Sequence, residues 1–406
     1  VSEIRETMGF ETYDSGGNDN HQEFKSSKDL SKEYDYAELW NSLFNSNDSV
    51  LPQKLSVEHR VVFVDADALV YRTSAACEKR SVVATIKGKE VSLSSKTKLK
   101  AYCKEVSVDF DSVRYEDVLV VEELSHCLAT VKRIISNMKR DLRATHIIFL
   151  LGGSYNYRHD LPLISKYKDN RKGTEKPKNF AECKEYLIKY YDTFVVTGIE
   201  ADDCVQGMTQ HVINNTSAYG IAWQIDKDFH TSLTPNRYYH PVHKKIFDLD
   251  GGLGSLYLSG ASVKGDGLMW VLFQLMLGDP SDGYSPKPFF NVRYGEKSYY
   301  KEFKDYKSEK ELMRAWILKW KSLLPTKIEY ESWDGKEQKH DWLSLAEIYF
   351  QCLYMRMSHE DETTFERLID IYENKLPVYS TYGLCQNSKL VSNTVDEVQD
   401  DGTWGW

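Results

Sequence analysis

No stretch of this chain is apolar for long enough to cross a bilayer. Its first residues carry neither the basic cluster nor the apolar run of a secretion signal. The expectation is a soluble chain with no membrane partner. Cysteine is sparse and unpatterned: Cys77, Cys103, Cys127, Cys183, Cys204, Cys352 and Cys385 are odd in number, and no two are spaced C-x-x-C. That spacing argues against a disulfide framework or a zinc site and points to a reducing cytoplasm. Positive charge is in deficit, with 52 Lys and Arg against 61 Asp and Glu and a net charge of −9. An acidic total counts against nucleic-acid binding unless the acids are metal ligands and the cations are gathered locally. Apolar residues are ample: 41% of 406 is enough to bury the core of one large domain or two smaller ones.

Residues 1 to about 50 are polar and poor in aliphatics, which predicts a mobile arm with a short helix near Tyr36–Phe44. Arg60–Leu69 begins as a continuous apolar run and breaks into Asp65-Ala66-Asp67, as when a buried parallel strand delivers acids to its carboxyl end. Val82–Leu93, with Gly88 between two β-rich pieces, reads as a hairpin. Leu124, Cys127, Leu128, Val131, Ile134, Ile135, Met138 and Leu142 recur at helical spacing opposite Lys132, Arg133, Lys139 and Arg140. His146–Leu151, Phe194–Val196 and Ile221–Ile225 read as further strands, with a helix over Ala181–Tyr191 and another running from Ala201 toward Ile213. Arg237–Asp248 holds one or two more strands. Glu309–Leu323, Trp342–Met357 and Glu362–Asn374 are helical, and Asn387–Trp406 is an acidic, Trp-ended tail.

Strands alternating with helices predict an α/β fold with a doubly wound, mostly parallel central sheet and a site at its carboxyl edge. The expected division is an arm over 1–55, a catalytic α/β domain over 56–285, a smaller helical portion over 286–385 and a disordered tail over 386–406.

Clustered carboxylates recur at four places: Asp65 with Asp67; Glu200, Asp202 and Asp203; Asp226 with Asp228; and Asp279 with Asp282. Each alone is also what a turn or a helix N-cap is made of. Together at one sheet edge they would repel one another unless cations lay between them. With no His or Cys beside them, the oxygen set favours Mg²⁺ or Mn²⁺, and two such ions form a clamp suited to in-line displacement at phosphate. After the second strand, Tyr155, Tyr157, Arg158, His159, Lys166, Tyr167, Lys168, Arg171, Lys172, Lys176 and Lys178 interleave cations with aromatics, a composition that can neutralise phosphates and stack on bases. A solvated basic loop has the same composition.

On these residues the chain resembles the 5′-nuclease superfamily of flap endonucleases, and most of all its phage 5′→3′ exonuclease branch, over roughly residues 60–305. Asp65 is similar to the family's first-strand aspartate. Tyr157-Arg158 and Tyr167-Lys168-Asp169-Asn170-Arg171 resemble its arch segment, and Glu200-Ala201-Asp202-Asp203 its Glu-Ala-Asp-Asp. Asp226-Lys227-Asp228-Phe229 and Gly278-Asp279-Pro280-Ser281-Asp282-Gly283 match two more motifs. The family's aspartate after the second strand is absent at Leu151-Gly152-Gly153-Ser154. Of its helix-turn-helix only Tyr294-Gly295-Glu296-Lys297 remains, with Pro286 and Pro288 intruding.

The resemblance implies a helical arch and a metal-dependent 5′→3′ nuclease acting on DNA ends or flaps, and on RNA in RNA–DNA hybrids, in phage replication or host-DNA degradation. It implies metal ligation by Asp65, Glu200, Asp202, Asp203, Asp226, Asp228, Asp279 and Asp282, and catalytic roles at the phosphate for Lys168, Arg171 and Arg158. DNA contacts fall to Tyr157, Tyr167, Lys166, Lys172, Lys176 and Lys297. By its composition alone, the acidic, Trp-ended tail is either a docking tip for a replication protein or a solubilising end. Two other readings are a DNA-binding protein of the same fold that cleaves weakly or not at all, prompted by the missing acid, and a ribonuclease on a similar acidic sheet.

Overall fold

The structure is a computed structural model that describes residues 32–374. The expected arm before Lys32 and the expected tail lie outside the described residues.

The chain opens with β1 (Glu33–Tyr34) and α1 (Tyr36–Trp40), which continues as a π-helical turn over Asn41–Asn45. It then enters β2 (Arg60–Asp65) and α2 (Ala66–Ala76). A separate three-stranded sheet follows, made of β3 (Glu78–Ile86), β4 (Lys89–Leu93) and, after α3 (Lys96–Glu105), β5 (Tyr115–Val121). The predicted hairpin is β3–β4. Its third strand and covering helix are not legible in the sequence, because β5 begins Tyr115-Glu116-Asp117 and its apolar residues lack a clear alternation.

The wound core continues with α4 (Leu124–Asp141), β6 (His146–Asn156), α5 (Phe180–Tyr190), β7 (Thr193–Gly198), α6 (Ala201–Asn215) and β8 (Tyr219–Trp223). It closes with β9 (Asn236–His240) and β10 (Lys245–Leu249). The central sheet has the order β1-β7-β6-β2-β8-β9-β10, parallel throughout except for β10 at one edge. Alternation along each strand divides the core. Val61 and Phe63 of β2 pack with α1 and α6, while Val62 and Val64 pack with α2, α4 and α5. The inner strands of the sheet are buried on both faces, which is why β2 and β8 read as continuous apolar runs, whereas the edge strand β10 is largely exposed.

Residues 33–55 are not a free arm. Glu33 and Tyr34 pair in parallel with Val195 and Val196, and Tyr36, Leu39, Trp40, Leu43, Leu51 and Leu55 are buried in the sheet's α6-side core. The short helix expected near Tyr36–Phe44 is present as α1 and its π-helical turn; what the polar average of the stretch conceals is that its few apolar residues are buried against the sheet.

Beyond the sheet, the hairpin β11 (Ser255–Ser259) and β12 (Ser262–Asp266) leads into α7 (Gly267–Leu277), buried along its whole length. Then come α8 (Glu296–Phe303), α9 (Glu309–Leu323), the hairpin β13 (Ile328–Glu331) with β14 (Glu337–His340), α10 (Trp342–Leu353) and α11 (Phe365–Asn374). These elements share one core in which α7 lies with α9 and α10, so the helical portion takes in α7, earlier in the chain than position 286.

Candidate metal centre

Asp65 ends β2 and caps α2, accepting the Ala68 N–H at 3.2 Å. Glu200 and Asp203 form a capping box at the start of α6, directly after β7. Asp226 caps the short turn after β8, accepting the Asp228 N–H at 3.1 Å. Asp279 and Asp282 come from the loop after α7. Its entry at Gly278 has φ +78, and a Cβ there would meet Ser285 Cα at 2.6 Å, so the tight return needs glycine. Parallel strands and helix N-termini thus bring acids from widely separated segments to one edge, as expected for a doubly wound sheet.

Within this edge two groups of three carboxylates each place oxygens within 4.8 Å of one another: Glu200, Asp202 and Asp203, and Asp228, Asp279 and Asp282. They are joined by Tyr167, whose hydroxyl lies 3.2 Å from Glu200 Oε2 and 3.0 Å from Asp282 Oδ2. Crowding is visible in the titration of the acids. Burial, then the charge of Asp67 and of Asp226, pushes the Asp65 carboxyl up to about 7. Burial and the neighbouring Glu200 and Asp203 push Asp202 well above the carboxylate range, and burial with Asp226 and Asp282 does the same to Asp228. Carboxylates so placed keep their protons unless ammonium groups or metal ions offset the charge.

Ammonium groups already offset some. Lys168 stands 2.5 Å from Glu200 Oε1 and 3.7 Å from Asp282 Oδ1. Burial disfavours its charge, but Glu200 and Asp282 outweigh that and hold the ammonium above its ordinary range. In return, although burial opposes ionisation of Glu200, Lys168 and Arg158 hold that carboxyl below its ordinary range. Lys227 meets Asp279 Oδ2 at 2.8 Å and likewise outweighs burial, keeping Asp279 low. Arg171, half-exposed, reaches Asp282 Oδ1 at 2.9 Å.

Several expected site residues stand elsewhere than at a phosphate. Arg158 is 2% exposed, and all five of its N–H groups are used by Asp203, Glu200 and the carbonyls of Gln351, Cys352 and Tyr354. Its role is a buried clamp between α6 and the end of α10, not a phosphate contact. Asp203 is fully buried and both of its oxygens are taken by that guanidinium, which removes it from the open ligands. Tyr167 is 3% exposed and Tyr157 donates to the Gln351 carbonyl at 3.1 Å beneath Arg356, so neither ring is free to stack on a base. Lys166 lies over the Trp333 ring at 4.6 Å and Lys176 over Phe180 at 4.7 Å. Lys172 is exposed and pairs with Asp169. Lys297 is exposed on α8, whose first residue, Glu296, accepts the Val263 N–H of β12.

The segment expected to form a helical arch, residues 157–178, holds only two short 3₁₀ turns, Tyr157–Asp160 and Asp169–Arg171. Lys168 sits between them at φ +56, and its N–H donates to the Asp282 carbonyl at 2.8 Å. Asn170 donates to the Pro280 carbonyl at 2.9 Å. The motif is therefore a clasp closed over the Gly278–Gly283 loop, and cation–aromatic interleaving could not distinguish such a clasp from an open nucleic-acid surface.

No protein-family model matches the chain, and no curated protein matches it. Among solved structures it is similar to the bacteriophage T5 D15 protein co-crystallised with metal ions, at 15% identity over 78% of this chain and 89% of that one, with a TM-score of 0.38. It is also similar to the T5 D15 flap endonuclease in a pseudo-enzyme–product complex with DNA and metal ions, at 16% identity over 64% and 88% of the two chains, TM-score 0.33. A mutant of the T5 5′-exonuclease aligns at 16% identity over 78% and 88%, TM-score 0.32.

Where an acid was expected after β6, Gly152 leaves room for Asp67, which accepts the Gly152 N–H at 2.5 Å and pairs with Lys184 at 3.2 Å. Two residues on, Ser154 donates from its N–H and hydroxyl to Glu33 at 2.8 and 2.7 Å. Both carboxylates at this strand end thus come from other segments, and only the three-dimensional arrangement reveals them.

Proposed function

We propose that the chain is a divalent-metal-dependent 5′→3′ nuclease that hydrolyses DNA phosphodiesters at 5′ ends or flaps, and the RNA strand of RNA–DNA hybrids. One observation carries the reading: two groups of three carboxylates, bridged by a tyrosine hydroxyl and faced by Lys168, Lys227 and Arg171, at the carboxyl edge of a wound parallel sheet.

The donors are all oxygen, and the acids repel one another, which fits two hard cations, Mg²⁺ or Mn²⁺, better than zinc. Glu200 and Asp202 with Asp65 would hold one, and Asp228, Asp279 and Asp282 with Asp226 the other. When bound, such ions supply Lewis acidity for water attack at phosphorus and for departure of the leaving oxygen. Lys168 and Arg171 offset charge gathering on the phosphate, a preorganised electrostatic contribution. Tyr167 fixes the separation of Glu200 from Asp282. Arg158 and Asp203 support the floor of the site without touching substrate.

A second reading, a DNA-binding protein that cleaves weakly, is favoured by the full engagement of Asp203 with Arg158 and of Asp67 with Gly152 and Lys184. A 5′-labelled flap, a blunt duplex and an RNA–DNA hybrid, each assayed with Mg²⁺ and with Mn²⁺, separate the two. Release of labelled nucleotides supports the nuclease, and tight flap binding with no release under either ion supports the binding protein.

A further inference from the structure

The segment that carries Tyr167, Lys168 and Arg171 leaves the sheet at β6 and crosses Leu161-Pro162-Leu163 without regular structure. Backbone carbonyls in such a stretch need donors from elsewhere. Here three consecutive carbonyls are met by one distant hairpin. Trp333 Nε1 donates to the Leu161 carbonyl at 3.0 Å, Tyr330 Oη to Pro162 at 2.6 Å, and the Trp333 N–H to Leu163 at 2.8 Å. The Lys166 ammonium then lies over the Trp333 ring at 4.6 Å.

The hairpin is itself rigidly placed. Its turn is closed by Ser332 N–H donating to the Lys336 carbonyl at 2.9 Å, Ile328 is buried in the helical core, and the Tyr330 ring packs on Phe289 with centroids 4.9 Å apart. Trp333 remains 38% exposed, so it is not held there by burial alone. Nothing in the metal centre uses this hairpin directly.

We infer that the β13–β14 hairpin is a positioning device: Tyr330 and Trp333 set the path of Leu161–Leu163 so that Lys168, five residues on, is delivered to Glu200 and Asp282. The inference rests on the proposed nuclease reading for its effect on turnover, but not for its effect on Lys168 itself. Tyr330 and Trp333 are positioning residues, since neither touches the acids. Small displacements of a catalytic cation are costly because its stabilisation of phosphate charge depends on distance and direction.

The test uses the full chain with Trp333→Phe, Tyr330→Phe and the double variant, which keep an aromatic ring at each position and remove the side-chain donors. Acylation of lysine amines, read by mass spectrometry, reports Lys168. In the native chain it is shielded by Glu200 and reacts slowly, and in the double variant its labelling is expected to rise several-fold while Lys297 labels unchanged. Cleavage of a 5′-labelled flap with Mg²⁺ is expected to show kcat lowered about tenfold with KM within about twofold. A purely structural role would instead lower the melting temperature and leave the kcat of the folded fraction intact. Unchanged Lys168 labelling in the double variant overturns the inference whether or not the chain cleaves. Increased labelling in a chain whose native form never cleaves upholds the device and overturns the nuclease reading alone.

Discussion

Arg158 meets Asp203 through two parallel contacts, Nη1 to Oδ2 at 2.5 Å and Nη2 to Oδ1 at 2.8 Å, with neither side chain reaching solvent. A bidentate pair of this kind, further tied to the carbonyls that end α10, joins the acidic edge to the helical portion. Removing one partner leaves the other buried and unpaired. Arg158→Ala is expected to destabilise the chain by about 3–5 kcal/mol in denaturant unfolding. A variant of native stability that had lost only cleavage would return Arg158 to the phosphate.

Asp226 and Asp228 flank Lys227 at the end of β8. Asp226→Asn is expected to lower Mg²⁺-dependent release of nucleotides from a 5′ end by more than about 100-fold, since a lost ligand removes several kcal/mol of transition-state stabilisation. Full activity in this variant would end the assignment.

Lys168 neutralises Glu200 and so competes with a metal for it. Lys168→Met is expected to tighten Mn²⁺ binding several-fold in calorimetry while lowering cleavage by roughly 100-fold. Weaker Mn²⁺ binding in that variant would show that the ammonium organises the site instead of competing with the ion.

Asp65 binds its proton up to about pH 7 in the folded chain, against 3.8 ordinarily, and Asp202 and Asp228 are shifted the same way. For Asp65, between about pH 4 and 7 the folded form therefore holds more protons than the unfolded form, so its contribution to stability falls as pH rises and is gone above about 7; Asp202 and Asp228 act in the same direction. The stability of chelator-treated protein is expected to decline across that window. Added Mg²⁺ is expected to raise stability most at and above pH 7, where it no longer has to displace protons. Melting curves with and without Mg²⁺ at pH 5.5 and 7.5 measure the difference. An equal gain at both would show that these carboxyls do not hold the ion.

Gly207 on α6 lets the N-terminal segment dock. A Cβ there would meet the Met357 carbonyl at 2.5 Å and would press on the Tyr36 hydroxyl. Gly207→Ala is expected to cost about 1–3 kcal/mol by overpacking and to speed proteolysis within residues 33–55. Unchanged cleavage by protease would show that this segment docks without depending on Gly207.

Sequence alone predicted the wound sheet and marked most of the acids that gather at its edge. Buried parallel strands must be continuously apolar, and the change from apolar to Asp or Glu at the ends of β2, β7 and β8 is local information. Which acids are open and which are committed was decided by the tertiary structure. Asp203 and Asp202 are adjacent in the chain, yet Arg158, 45 residues earlier, takes the first and leaves the second. Tyr167 reads as a base-stacking aromatic until Glu200 and Asp282 are seen on its hydroxyl, and Glu33 reads as part of a polar arm until Ser154 donates to it. Even the scattered cysteines converge in part, with Cys127 and Cys183 from α4 and α5 bringing their sulfurs to 3.3 Å. The reason is common to all four: periodicity and composition report on a residue's neighbours along the chain, whereas charge pairing and burial depend on partners that only the packed sheet and helices bring within reach.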